Sequence, residues 1–391
     1  MNKGPQPNIT LDNTVSDSAY GLAGATVPST SFSVRAEPFD PSVEKLSLLC
    51  RMQGFEFESK ETFDEAELGG VNNSSIAGNP INIVDGDGVA FHHGASCLEK
   101  WVANESCFLL SKTSSLRMLS FLLDFYAEEL LTPALKVYRF GSSESEQELR
   151  ENLPPLSSDR MEQLCWLNRQ KRQLKLYGMH ESNSAATNAH VQRVLVQLEK
   201  QIASSGFLSG TLPGYIDVIF HGPIYTYLFR QNSYKAQLAK KYPALSGWLK
   251  KMKGIGKLES PPRDFISLPG PLLTLLNIIN KDCSRMIATL LAAYKHWLDE
   301  MAGEFHSLPA YIGMCSGVCM QQKMTRVVSV NFVWHMQRIT EQLGLIDNRH
   351  QAPVEALLKR TGMDVLLTQV ALFQNRKISF RDGSTFLEAQ L

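Results

Sequence analysis

The sequence lacks any apolar segment long enough to cross a membrane. A membrane-spanning helix needs about 20 consecutive apolar residues, and the most apolar stretch, residues 272–294, is interrupted by Lys281, Asp282 and Arg285. The N-terminus, Met-Asn-Lys-Gly-Pro, has no apolar core of the kind found in secretory signals. We therefore expect a cytoplasmic protein without a transmembrane segment.

Net charge is absent as well, because 39 Lys and Arg residues balance 39 Asp and Glu residues. A chain without a strong overall field is not typical of nucleic-acid-binding proteins, so we expect no nucleic-acid partner. Disulfide frameworks usually need an even set of cysteines in a short chain, whereas this chain has 7 in 391 residues. The count favours reduced thiols.

Several catalytic motifs and metal-ligand patterns are missing too. The sequence has no Walker A loop, dinucleotide-binding glycine fingerprint, zinc-protease motif or nucleophile elbow. His92 and His93 are adjacent, so on a strand they would point to opposite faces. Cys315 and Cys319 have the spacing of one helical turn, but Gly317 lies between them and no second ligand pair is near. We expect no metal site.

Composition and periodicity divide the chain into four parts. Residues 1–30 are rich in Ser, Thr, Asn, Gly and Pro and predict a flexible tail. Residues 31–105 alternate strand and helix signals and predict a small α/β domain of thioredoxin type. Strand signals nearly vanish afterwards, so we expect an all-α domain over residues 111–260 and a helical extension over residues 264–391.

Local signals predict where the first helix of the α/β domain begins and ends. Asp40 is a good N-cap, Pro41 suits the first helical position, and Gly54 is a good terminator. A second capping signal comes later, where Gly214 occupies an N-cap position. Asp217 lies three residues on, where a carboxylate can accept bonds from unpaired backbone N–H groups.

The segment around that second cap carries a family resemblance. Residues 207–219 read Phe-Leu-Ser-Gly-Thr-Leu-Pro-Gly-Tyr-Ile-Asp-Val-Ile, and residues 242–252 read Tyr-Pro-Ala-Leu-Ser-Gly-Trp-Leu-Lys-Lys-Met. This pattern resembles the C-terminal domain of glutathione transferases, although Gly214 stands where Ser or Thr is common. Residues 41–58 resemble the first helix and second strand of the same family. The spacing of Lys-Leu, Arg-Met and Gly in residues 45–54 is also similar to metaxin-type proteins, as is Tyr-Gly-Met-His-Glu-Ser in residues 177–182.

The resemblance covers roughly residues 31–255. It implies an α/β plus all-α architecture, with a thioredoxin-like domain followed by a glutathione-transferase-like helical domain and a helical C-terminal extension. It also implies glutathione as a co-substrate. Many members of the family dimerise, so a homodimer stays open, although the extension could cover that surface.

The resemblance assigns candidate residues for glutathione. Ser42 matches the hydroxyl that hydrogen-bonds the glutathione sulfur, while Asp40 and Glu44 nearby would oppose a thiolate. The remaining candidates are Pro80, Ile81, His93 and Gly94. Pro80 matches a cis-proline before the third strand, and Ile81 is the adjacent strand residue. His93 and Gly94 stand where the family usually has Glu or Gln followed by Ser, so the hydroxyl that grips the γ-glutamyl carboxylate is missing.

Two functions therefore remain open. The first, which we take as the working hypothesis, is transfer of glutathione to a small apolar electrophile, bound between the domains against helix residues 116–126. The second is a non-catalytic interaction or scaffold protein of metaxin type, which kept the fold, lost the glutathione site and binds a protein partner. The His93-Gly94 departure and the extra region after residue 264 favour the second.

Overall fold

The computed structural model describes most of the chain from residue 30 onward. The described residues are 30–63, 68, 81–88, 90–91, 109–111, 113–152, 160–263, 265, 267–300, 308–346, 348–361, 363–368, 373, 376–381 and 384–389. The predicted tail over residues 1–30 lies outside them, apart from residue 30.

A four-stranded sheet forms the N-terminal part. Its strands are β1 (Ser31–Ala36), β2 (Glu56–Glu61), β3 (Ile81–Asp85) and β4 (Ala90–Phe91), in the order β2-β1-β3-β4. Strands β1 and β2 are parallel and are joined by helix α1 (Pro41–Gln53), while β3 is antiparallel to β1 and to β4. A parallel pair needs such a crossover helix. The arrangement fits the thioredoxin-like unit predicted from the sequence.

Helix α1 begins and ends where its caps predict. The Asp40 carboxylate accepts a hydrogen bond from the backbone N–H of Ser42 at 2.8 Å. Gly54 ends the helix with a φ of 77°, a left-handed conformation that glycine adopts without steric cost. The buried side of α1 packs against a helix of the second part, at Gly222. A Cβ at that position would lie 2.6 Å from Cγ of Lys45, so only glycine permits this approach.

Helices dominate the chain from residue 114 to residue 253. They are α2 (Ser114–Tyr126), α3 (Thr132–Phe140), α4 (Ser143–Asn152), α5 (Arg160–Leu176), α6 (Ser184–Ser205), α7 (Tyr215–Ile224), α8 (Asn232–Lys241) and α9 (Pro243–Lys253). A wide π-helical turn, Ala127–Leu131, joins α2 to α3, and another, Tyr225–Phe229, follows α7. These helices agree with the mostly helical architecture that the resemblance implies.

The predicted cap at the start of α7 is present. The Asp217 carboxylate accepts bonds from the backbone N–H groups of Leu208, Ser209 and Gly214 at 2.7, 2.9 and 3.0 Å. It also accepts a bond from the indole Nε1 of Trp248 at 2.9 Å. One buried carboxylate thus fixes the loop before α7 and ties it to α9.

The C-terminal extension is not entirely helical, so that part of the prediction is wrong. It contains α10 (Gly270–Glu300), α11 (Val330–Gly344) and α12 (Asn348–Thr361), but also two hairpins. The first pairs β5 (Tyr311–Cys319) with β6 (Gln322–Ser329), and the second pairs β7 (Arg376–Arg381) with β8 (Ser384–Ala389).

The first hairpin contains the two cysteines that the sequence spaces one helical turn apart. Cys315 and Cys319 lie on β5, a strand in which Gly313 and Gly317 disfavour a helix. Met320 and Gln321 form the turn with φ values of 51° and 65°, as two-residue hairpin turns require. A Cβ on Gly317 would lie 2.9 Å from Oγ1 of Thr289, so this glycine lets the hairpin lie directly on α10.

No helix among the described residues has the length and apolar character of a membrane span.

Candidate functional site

The predicted hydroxyl, Ser42, lies directly after the loop between β1 and α1. Ser42 lies half-buried in the first turn of α1. Its backbone N–H donates to the Asp40 carboxylate at 2.8 Å. Burial raises the pKa of Asp40 to about 6, against its hydrogen bonds from Ser42, which lower it. The positive end of α1 is therefore already capped by a carboxylate of the chain itself.

The other predicted glutathione residues are only partly described. Ile81 is buried and pairs with Ala36, the last residue of β1, so it lies at the same end of the sheet as the start of α1. Pro80, His93 and Gly94 lie outside the described residues, and so does the cis-proline prediction. Of the five candidates, the structure thus brings Ser42 and Ile81 to one end of the sheet.

Phe39 precedes the α1 cap and lies among cations that the sequence did not single out. Its φ of 60° is unusual for a residue other than glycine. The guanidinium carbons of Arg139 and Arg230 lie 4.0 and 4.4 Å from the centroid of its ring. Arg230 also pairs with Glu61 at 2.9 Å.

Aromatic side chains fill the space behind Phe39. The ring of Trp166 on α5 lies 6.3, 5.7 and 5.6 Å from the rings of Phe39, Phe63 and Phe140, measured between centroids. Next to them, Glu37 is fully buried and binds both Arg169 and Gln170 of α5. The β1–α1 loop is therefore packed against α3 and α5 by the chain's own side chains.

Lys136 of α3 adds a further buried cation to this junction. Its Nζ donates to Oε1 of Gln173 at 2.5 Å. Burial lowers the pKa of Lys136 to about 7, and the charge of Asp40 opposes that shift. Sequence reasoning missed Lys136 and Arg139, because charged residues near the end of an amphipathic helix are usually exposed. Their spacing of three residues was the only signal.

The surface expected to bind an electrophile, helix residues 116–126, is covered. Helix α11 packs on α2, with the Phe125 and Phe332 rings 5.8 Å apart and the Arg338 guanidinium 4.0 Å from the Phe121 ring. The location predicted for the electrophile is therefore wrong: this face of α2 belongs to the core. The cause is the extension, whose docking site the sequence did not reveal.

Buried ion pairs hold this cover in place. Lys45 of α1 binds Asp124 at 2.7 Å and Glu128 at 2.5 Å, and His335 of α11 lies 2.9 Å from the same Glu128. Beside them, Arg326 of β6 binds the Glu129 carboxylate at 2.5 Å. Three carboxylates within residues 124–129 thus connect the α/β part to the extension.

Within the parts of the chain that the structure describes, no group of three or more His, Cys, Asp and Glu residues is placed to hold a metal ion.

Comparisons with known proteins find similarity to solved structures but not to family models or curated sequences. A scan against protein-family models finds no match, and a search of curated proteins finds no similar sequence. Among solved structures, a glutathione S-transferase from Pseudomonas fluorescens Pf-5 aligns at 17% identity and a TM-score of 0.35, over 61% of this chain and 98% of its own. A beta-etherase from Sphingobium sp. strain SYK-6 aligns at 18% identity and a TM-score of 0.38, over 57% and 95%.

A glutathione S-transferase from Rhodospirillum rubrum F11 aligns at 15% identity and a TM-score of 0.36, over 60% of this chain and 96% of its own. The fold assignment rests on the architecture itself. The sheet order β2-β1-β3-β4, the parallel β1-α1-β2 unit and the capped α7 within a helical part fit a glutathione-transferase-like fold.

Proposed function

We propose that the protein is a non-catalytic interaction protein with a glutathione-transferase-like fold, of metaxin type. The observation that carries the proposal is the burial of α2 beneath α11. The face expected to receive an apolar electrophile is occupied by Phe332, His335 and Arg338 of the chain's own extension.

The extension is too firmly attached to act as a substrate lid. Moving α11 away from α2 would separate His335 from Glu128 and Arg338 from Asp124. It would also separate Arg326 from Glu129, a pair whose side chains are both almost fully buried. Leaving one partner of a buried ion pair behind costs about 3–5 kcal/mol. Such costs favour a permanent cover.

The start of α1 also supports the proposal. A glutathione thiolate needs a donor and a positive helix end. Here the Asp40 carboxylate accepts a hydrogen bond from the backbone N–H of Ser42 and neutralises the helix end. A second anion at this position would be repelled by the first.

A strongly basic segment supplies the surface for a partner. Residues 218–258 contain no Asp or Glu. Their basic residues are Arg230, Lys235, Lys240, Lys241, Lys250, Lys251, Lys253 and Lys257, and the seven lysines are all exposed on α8, on α9 and just after α9. Because these lysines are exposed, flexible cations in a segment without acidic residues, the segment suits an acidic protein surface.

Conjugation of glutathione to 1-chloro-2,4-dinitrobenzene tests the absence of catalysis. The proposal expects no rate above that in buffer, for the native protein and for Ser42→Ala alike. Ser47→Ala is the matched control, since Ser47 is half-buried on the same helix. A glutathione-dependent rate that Ser42→Ala lowers and Ser47→Ala retains would contradict the proposal.

Transfer of glutathione remains the second candidate, favoured by one observation. Ser42 lies in the first turn of α1 and keeps a half-exposed position. The assay above decides between the two, because the second candidate requires Ser42 to contribute to the rate.

The basic surface is tested by comparing the binding of polyglutamate with the binding of phosphatidylserine vesicles. The proposal expects polyglutamate binding that weakens with salt and is lost when Lys240, Lys250 and Lys257 are replaced by Glu. The control variant carries Glu in place of Arg172, Lys175 and Lys295, which are also exposed. It makes the same charge change elsewhere on the protein and should retain binding. Binding to vesicles alone, or equal loss in both variants, would overturn the assignment of this surface.

A further inference from the structure

Arg139 is a buried cation whose hydrogen-bonding edge is not used within the described residues. Only 3% of the residue is exposed. Its Nε and Nη2 are buried and have no hydrogen-bond partner there. Buried charges are normally paired, because removing an unpaired charge from water is costly. Arg139 therefore needs a partner that the described part of the chain does not supply.

The two unpartnered atoms define the shape of that partner. In a guanidinium group, Nε–H and one N–H of Nη2 point in parallel from the same edge. This fork matches two oxygens of a carboxylate or a phosphate, which bind it in a bidentate way. The guanidinium carbon lies 4.0 Å from the centroid of the Phe39 ring, and this contact leaves the hydrogen bonds of Nε and Nη2 unused.

The surroundings strengthen the requirement for an anion. Arg230 lies against the same Phe39 ring, and its charge lowers the pKa of Arg139, after the larger effect of burial, to about 10. The carboxylate of Glu61 is already bound to Arg230 at 2.9 Å. Lys136, one helical turn earlier, donates to the neutral Gln173. The charges of Glu148 and Glu61 raise the pKa of Arg139 and offset part of these effects, but neither carboxylate bonds to its Nε or Nη2.

A neutral donor lies at the same junction. The indole Nε1 of Trp166 is buried and has no hydrogen-bond partner among the described residues. Its ring and the Arg139 guanidinium both lie against Phe39. Two side chains with unpaired donors, one on α3 and one on α5, therefore both lie against Phe39 of the β1–α1 loop.

We propose that Arg139 binds a small oxyanion, a carboxylate or phosphate group of a ligand held where the β1–α1 loop meets α3 and α5. Nε and Nη2 of Arg139 bind two of its oxygens, and Trp166 and Lys136 are the further donors. The site is independent of the proposed function, since an interaction protein and an enzyme could each contain it.

Calorimetric titration with inorganic phosphate and with succinate tests the site, with sodium chloride at matched ionic strength as the reference. The native protein should show saturable binding of at least one of the two, and the tighter one identifies the source of the oxyanion. Arg139→Lys keeps the charge but removes the fork, so affinity should fall about tenfold or more. Arg172→Gln removes an exposed arginine of α5 and should bind as the native protein does.

Thermal unfolding gives a second readout, which does not depend on the heat of binding. A ligand bound only to the native state raises the unfolding temperature. The same oxyanion should raise it for the native protein and for Arg172→Gln, but not for Arg139→Gln. No saturable binding of either probe by the native protein would overturn the proposal. Binding by Arg139→Lys and Arg139→Gln as tight as that of the native protein would overturn it as well.

Discussion

The ammonium group of Lys45 lies 2.7 Å from the carboxylate of Asp124 and connects α1 to α2 inside the core. The same ammonium group lies 2.5 Å from Glu128. Both carboxylates raise the pKa of Lys45, although burial alone would lower it. This pair joins the α/β part to the helix that the extension covers.

Replacing Lys45 by Met should therefore destabilise the protein strongly. Asp124 and Glu128 would lose their shared cation, and breaking a buried ion pair costs about 3–5 kcal/mol. Urea unfolding of the variant would measure the free energy of unfolding. Lys253→Met is the control, because Lys253 is exposed in its pair with Glu44 and should contribute about 1 kcal/mol or less. Equal losses in the two variants would contradict the account.

The Arg326–Glu129 pair should show strong coupling in a double-mutant cycle. Arg326→Met and Glu129→Gln should each destabilise the protein, since each leaves a buried polar partner unpaired. The double variant should recover about 1–3 kcal/mol relative to the sum of the two single losses. Urea unfolding of all four proteins gives the coupling, and additive losses would show that the pair does not hold the extension.

Asp217→Asn should lose more stability than Trp248→Phe. The asparagine substitution disturbs the acceptor of three backbone N–H groups and one indole N–H, whereas the phenylalanine substitution removes only the indole donor. We expect a loss of about 2–4 kcal/mol for Asp217→Asn. Guanidinium chloride unfolding measures both, and a larger loss for Trp248→Phe would contradict the assigned role of Asp217.

Lys136 should make stability depend on pH in a known direction. Its pKa falls from 10.5 in the unfolded chain to about 7 in the folded protein, so the folded protein binds fewer protons between these values. Stability should then rise with pH across that window, because the cost of burying the charge is largest below pH 7.

Lys136→Met removes this dependence. The free energy of unfolding of the variant should exceed that of the native protein most at pH 6. This difference should shrink as the pH rises towards 10. Unfolding by urea at pH 6, 8 and 9.5 measures the difference. A difference that is constant with pH would contradict burial of a titrating Lys136 beside Asp40.

The sequence predicted those features that depend on nearby residues. The Asp40 and Gly54 caps and the Asp217 cap follow from short-range preferences for backbone conformation, and the structure contains all three. The first hairpin of the extension was missed, because residues 311–319 lack the polar–apolar alternation of a half-buried strand. Its stability comes from packing on α10, which no local pattern encodes.

The site was harder to predict for the same reason. The position of Ser42 at the start of α1 could be inferred, but its bond to Asp40 and the cover over α2 depend on tertiary contacts. The burial of Arg139 could not be inferred, since burial of a charged side chain is set by distant residues such as Phe39.

Native-state hydrogen exchange of α2 and α11 tests the central claim most directly. If α11 is a permanent part of the core, the amides of residues 114–126 and 330–344 should exchange slowly and together, at the free energy of global unfolding. Fast exchange of α11 while α2 and its neighbours stay protected would show a cover that opens. That result would contradict the account and restore a substrate site on α2.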